Sequence, residues 1–281
     1  MKLHLRHARA ASAFTMVEIA LCLAIVGFAL VAIIGVLPAG LNVQKENRED
    51  TILNQDSTVW LDAIRAGGDG AQINVSDELT NYVDRIVVSS WLYTIESATK
   101  TNMLTQIPIV AERTPGPGVT TLITNGAHIV GLLSTPRIVQ FSSNPNQFPR
   151  QFVSNYVYAY CRAMSGTATE KPLQDNPDVR DAAFTYRMVV EITPVGSFDP
   201  EGIQTNAVDQ VLRDNLADAR LIFRWPLKKG FVPGRTEGQQ PASGNSRMVF
   251  RTQISGRIAS YRLDQPAAQT PFYFIQPRDY R

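Results

Sequence analysis

Residues 19–37 read IALCLAIVGFALVAIIGVL, nineteen positions without a charge. A helix rises about 1.5 Å per residue, so this run spans about 28 Å, close to the roughly 30 Å hydrocarbon core of a bilayer. A helix in a soluble core is rarely apolar on every face over such a length. A membrane segment is therefore expected. Lys2, Arg6 and Arg9 precede the run with no acid among them, and QKENRED at 44–50 follows it. Basic residues stay on the cytoplasmic side, which places the N-terminus inside and the bulk of the chain outside.

The order of signals around the run separates the kinds of targeting. A secretory signal places small residues after a shorter apolar stretch. Here Ala11, Ser12 and Ala13 come before it, on the cytoplasmic side. A lipoprotein signal needs a small residue before its cysteine, whereas Cys22 follows Leu21. A plain uncleaved anchor is the alternative, and it gives no reason for the acid at Glu18.

The stretch Ala13-Phe14-Thr15-Met16-Val17-Glu18 resembles the processing site of type IV prepilins and type II secretion pseudopilins. That resemblance implies cleavage between Ala13 and Phe14 by a prepilin peptidase/methyltransferase, N-methylation at Phe14, and a fifth-position acid at Glu18. The family usually has Gly before the cut, where this chain has Ala13. The chemistry fits the resemblance. A carboxylate at membrane depth costs on the order of 2.5–3.5 kcal/mol on insertion scales, so it needs a partner. A new ammonium at Phe14 would lie at the positive end of a helix dipole, and Glu18 in the first turn offsets it. Pairing of Glu18 with a neighbouring subunit's amine is the assembly role the resemblance implies. The strings LPAGL (37–41), FRWP (223–226) and FRTQISG (250–256) also resemble the Verru_Chthon cassette protein B family, a prepilin-type family.

Beyond the run, Pro38 is expected to kink a continuing helix, as in pilins, the alternative being that the helix ends there. Helical spacing resumes with Ile52, Val59 and Ala63 on one stripe and Leu53, Trp60 and Ile64 beside it. Lys45 and Glu49 form a supportive pair, Glu46 and Asp50 a repulsive one. Gly67-Gly68-Asp69-Gly70 should stop the helix.

The remainder alternates with a period of two. The clearest runs are 184–192, 221–225 and 248–258; weaker ones are 85–95, 128–141 and 152–164, the last with Tyr156, Tyr158 and Tyr160 on one side. A short helix is expected over 207–217. Gly-, Pro-, Asn- and Ser-rich loops fall at 114–118, 142–149, 165–178 and 230–244. The fold class expected is α+β: a long N-terminal helix, half transmembrane and half amphipathic, packed on an antiparallel sheet as in pilins. The organisation expected is a leader at 1–13, a transmembrane assembly helix at 14–40 and a periplasmic or extracellular domain at 41–281.

Little points to catalysis. His128, near Gly126, is the one histidine after the leader, and no metal-ligand spacing, nucleophile elbow or phosphate loop is present. No cofactor and no enzymatic activity are expected. Cys22 and Cys161 are too differently placed to pair. After Ala13 the chain carries 24 basic residues (27 less Lys2, Arg6 and Arg9) against 25 acidic ones. That balance gives no electrostatic case for nucleic acid. Arg247, Arg251 and Arg257 alternate onto one face, where acid pairing or solvation is the ordinary fate of such residues. The function expected is a structural pseudopilin or minor pilin, meeting other subunits and an inner-membrane assembly platform. The alternative is an inner-membrane-anchored periplasmic binding or adhesion domain that does not polymerise.

Overall fold

The computed structural model describes residues 15–67, 77–97, 100–105, 108–116, 118–140, 150–164, 184–195, 207–227, 243–261 and 271–276. The leader, both residues of the expected cut (Ala13 and Phe14), Gly68 to Gly70 and the loops at 142–149 and 165–178 lie outside the described residues. Two compact units divide the chain, Met1–Thr51 and Ile52–Arg281, with the boundary inside the first helix.

That helix, α1, runs Met16–Ala66 over 51 residues with Pro38 inside it. Proline has no N–H to give to the carbonyl four residues back, yet the helix continues. The alternative that it ends at Pro38 is therefore wrong. In the first unit every residue from 15 to 48 is exposed, and Lys45 pairs with Glu49 at 3.8 Å. This is the one helix among the described residues long and apolar enough to cross a membrane.

In the second unit the C-terminal part of α1 turns Leu53, Trp60 and Ile64 into the core, with Asp56 and Ser57 on the same buried stripe. The offsets three, four and seven that join Leu53, Asp56, Ser57 and Trp60 are those of one helix face. The parallel stripe is only partly buried: Ile52 is inside, Ala63 is half-buried, and Val59 is 44% exposed. A three-residue step from Asp56 carries Val59 past the edge of the sheet-facing arc.

The sheet that α1 covers has nine strands. Its main path is β4 (Thr121–Leu122), β3 (Ile109–Glu112), β1 (Val83–Ser97), β6 (Arg150–Arg162), β7 (Thr185–Pro194), β8 (Leu216–Leu227) and β9 (Ser243–Ser255). Off the path, β2 (Lys100–Thr105) pairs with β1 and β5 (Ile138–Gln140) with β6. All these pairings are antiparallel except β3 with β4. β10 (Arg257–Tyr261) and β11 (Phe272–Gln276) form a separate antiparallel pair. Alternation works as expected along β7, where Tyr186, Met188, Val190 and Ile192 are buried and the residues between them half-buried.

Four expected boundaries differ. The run at 128–141 is a helix, α2 (Gly126–Leu133), followed by β5. Asn125 caps α2 by accepting the His128 N–H at 2.9 Å. A buried apolar string such as Ile129 to Leu133 satisfies both helix and strand periods, so the cap decides. The run at 248–258 is two strands, broken at Gly256 with φ 142°. A Cβ there would meet the Gln276 carbonyl oxygen at 2.5 Å, so glycine is required both by dihedral and by space. The helix expected at 207–217 is α3 (Ala207–Asn215), and β8 begins at Leu216. Ser243 and Gly244, placed in a loop by composition, already belong to β9.

α2 lies against β11 through Gly131, where a Cβ would stand 2.9 Å from Phe272 Cβ and 2.8 Å from Phe274 Cζ. The close approach of helix backbone to aromatic rings explains the glycine in an otherwise bulky string.

Candidate assembly site

The start of α1 is closed by its own side chains. Thr15 Oγ1 accepts the Glu18 N–H at 3.3 Å, and Glu18 Oε2 accepts both the Thr15 N–H and the Thr15 hydroxyl at 3.1 Å. Thr15 is the N-cap and Glu18 the third helical residue, a reciprocal capping box. The T-x-x-E spacing at 15–18 was visible in the sequence and is the signal that identifies Thr15 as a partner of Glu18. Local donors thus satisfy part of a carboxylate that would otherwise be costly near lipid.

Around this cap the helix surface is uniformly apolar. Sixteen large hydrophobic side chains between Met16 and Val43 are exposed, Phe28 at 80%. Moving one such side chain out of water is worth roughly 1.5–3 kcal/mol, so covering the set is worth tens of kcal/mol. Pro38 lies within this stretch.

The other part of α1 is fixed by a buried polar chain. Asp56, 1% exposed, accepts the Tyr186 hydroxyl at 3.0 Å and the Met164 N–H at 3.1 Å through Oδ2. Tyr186 OH in turn accepts the Trp60 indole N–H at 2.9 Å. Burial pushes the Tyr186 phenol well above its ordinary range, with Cys161 and Asp56 adding to the rise. Burial does the same to the Cys161 thiol, beside Asp84 and Asp56. Both cysteines are free thiols.

His128 is a structural residue. It is 4% exposed, stacks on Phe272 at 5.1 Å between ring centroids, and gives its Nδ1–H to the Leu122 carbonyl at 3.1 Å, with Thr124 Oγ1 at the same distance. A carbonyl can only accept, so the proton sits on Nδ1. Among the described residues no group of three His, Cys, Asp or Glu could hold a metal.

The arginines divide by register. Arg251 Nε donates to both Asp218 oxygens, at 2.9 and 3.0 Å, and Arg220 Nη1 to Glu191 Oε2 at 3.2 Å. Arg257 does not share a sheet with Arg247 and Arg251, because Gly256 separates β9 from β10. The single-strand stripe of three is therefore corrected to Arg247 and Arg251 alone. Tyr156, Tyr158 and Tyr160 do share the face of β6 turned away from the core, with the Arg137 guanidinium 3.4 Å over the Tyr156 ring. No family model, no curated protein and no solved structure matches the chain.

Proposed function

We propose that the chain is a pseudopilin- or minor-pilin-like structural subunit without catalytic activity. A prepilin peptidase would cut between Ala13 and Phe14 and methylate Phe14, and the mature chain would pass from the inner membrane into a filament. Its partners are other subunits and the inner-membrane assembly platform; before assembly it is single-pass, with its C-terminal domain periplasmic or extracellular.

The observation that carries this reading is an acid in the first turn of a helix that carries no charge over 19–37 and is exposed on every side over 15–48. Such a helix trades lipid for neighbouring helices without gaining water. Glu18 trades an interfacial site for an ion pair with a neighbour's amine. In the isolated chain the carboxylate closes its own cap, so the two roles of Glu18 need separating. Glu18→Gln keeps a capping side chain and removes the charge, whereas Glu18→Ala removes both.

The test is mass spectrometry of the membrane-extracted protein together with filament incorporation of the two variants. Expected are a chain beginning at Phe14, normal processing of both variants, and loss of incorporation in both. An intact Met1 leader beside active peptidase would sink the reading. Incorporation by Glu18→Gln at the native level would leave Glu18 a cap and remove its assembly role.

A further inference from the structure

Cross-strand partners run Glu112–Arg85–Tyr160–Arg187–Arg224–Arg247, one row through β3, β1, β6, β7, β8 and β9 on the sheet face away from α1. At the β3 end the row closes on an acid: Arg85 Nε lies 3.1 Å from Glu112 Oε1, the acid buried and the arginine partly so. Arg224 and Arg247 have no acid partner among the described residues. Arginines directly opposite one another across strands repel, so the end of the row calls for negative charge.

β9 is also where the sheet ends. It is thirteen residues long, and no other described strand pairs with its outer side. A long edge presents a line of unpaired N–H and C=O groups, and native edges of this kind are usually covered. Along β9, Arg247, Val249 and Arg251 point away from the core and are exposed, Val249 at 41%. Arg251 uses only its Nε on Asp218, leaving the rest of its guanidinium outward.

We propose that the outer edge of β9 receives an extended strand from a different protein chain, one with two acids four residues apart set against Arg247 and Arg251 and an apolar residue between them against Val249. Backbone pairing supplies the bulk of the attraction and the acids fix the register, as in other strand additions. A second copy of β9 is a poor occupant: antiparallel pairing centred on Val249 would bring Arg247 against Arg251. Acids four apart occur in this chain at Glu46 and Asp50, inside α1, and at Asp214 and Asp218, across α3 and β8. Neither pair is available as a separate strand.

The test uses the full chain in detergent micelles and a labelled eleven-residue peptide with Glu-Thr-Val-Thr-Glu at its centre, read by fluorescence anisotropy. Saturable binding is expected. Arg247→Glu should weaken it on the order of tenfold, the size of one charge-assisted hydrogen bond. A peptide with Lys in place of both Glu should bind poorly to the native chain and better to Arg247→Glu. N-methylation of alternate backbone amides, which leaves charge untouched, should abolish binding. No binding, or equal binding of the N-methylated peptide, would overturn the proposal, as would dimerisation of the chain that Arg247→Glu abolishes. None of these readouts involves leader processing, so failure here leaves the filament reading standing.

Discussion

One helix lives under two opposite regimes. Between Met16 and Val43, α1 is almost wholly apolar and wholly exposed; between Ile52 and Ile64 it is mixed in composition and buries an aspartate. In a self-sufficient soluble domain the order would be reversed, because apolar area leaves water first and charge last. The contrast teaches that the second segment is specified from within the chain, by strands it can name residue by residue. The first, 15–48, is exposed throughout and is apolar enough to cross a membrane.

The comparison can be broken most forcefully at Asp56. Asp56→Ala leaves the Tyr186 hydroxyl and the Met164 N–H buried without their acceptor, at roughly 1–3 kcal/mol each. Urea unfolding of the detergent-solubilised protein, followed by tryptophan fluorescence, should show a loss of about 2–6 kcal/mol. A change below about 1 kcal/mol would mean that the polar chain does not hold the helix. Next in size is a matched pair of deletions. Leu53→Ala empties a core site and should cost about 2–5 kcal/mol, whereas Leu23→Ala should leave the same unfolding transition within about 0.5 kcal/mol. Equal effects of the two would erase the distinction between the segments.

Alkali sharpens the contrast by a smaller amount. Burial holds the Cys161 thiol and the Tyr186 phenol protonated in the fold, while the unfolded chain releases those protons near pH 8.5 and 10. Above those values the unfolded state binds fewer protons than the folded one, so stability falls as pH rises, by roughly 1.4 kcal/mol per pH unit for each proton. Thermal midpoints should decline from about pH 8.5. Cys161→Ala should remove the first part of the decline, and an unchanged profile in that variant would assign it to other groups. The smallest effect belongs to the cap. Thr15→Ala should lower helix stability at the N-terminal end of α1 by about 0.5–2 kcal/mol, visible as faster amide exchange over the first turn and nowhere beyond Ile52. Exchange unchanged at the first turn would mean the cap contributes nothing there.

Much of this architecture was legible beforehand because it rests on local period. The extent of α1 follows from an uncharged run, a resumed 3.6-residue spacing and the Gly67-Gly68 stop. β7 and β8 follow from strict alternation. Where the period was ambiguous the reading failed, as at 128–141, and the deciding information was one asparagine placed before the run. β2, β3, β4 and β11 are too short or too uniformly apolar to carry a period, and they exist because β1, β3 and β10 offer them edges. The capping box went unread, although the T-x-x-E spacing at 15–18 carries it. The arginine row could not be seen at all: Arg187, Arg224 and Arg247 are separated by 37 and 23 positions, and only the register of β7, β8 and β9 lines them up.

The polar chain on Asp56 also sets a clock. Met164 and Tyr186 lie 108 and 130 residues later in the sequence. At synthesis rates of about 5–20 residues per second, the acceptor is made on the order of ten seconds before its donors. Through that interval the earliest part of the domain carries a carboxylate with no folded site to enter, and Trp60 has no hydroxyl to address. The helix that comes first in the chain is thereby obliged to dock late, once β6 and β7 have formed, and the domain cannot close from its N-terminal end forward.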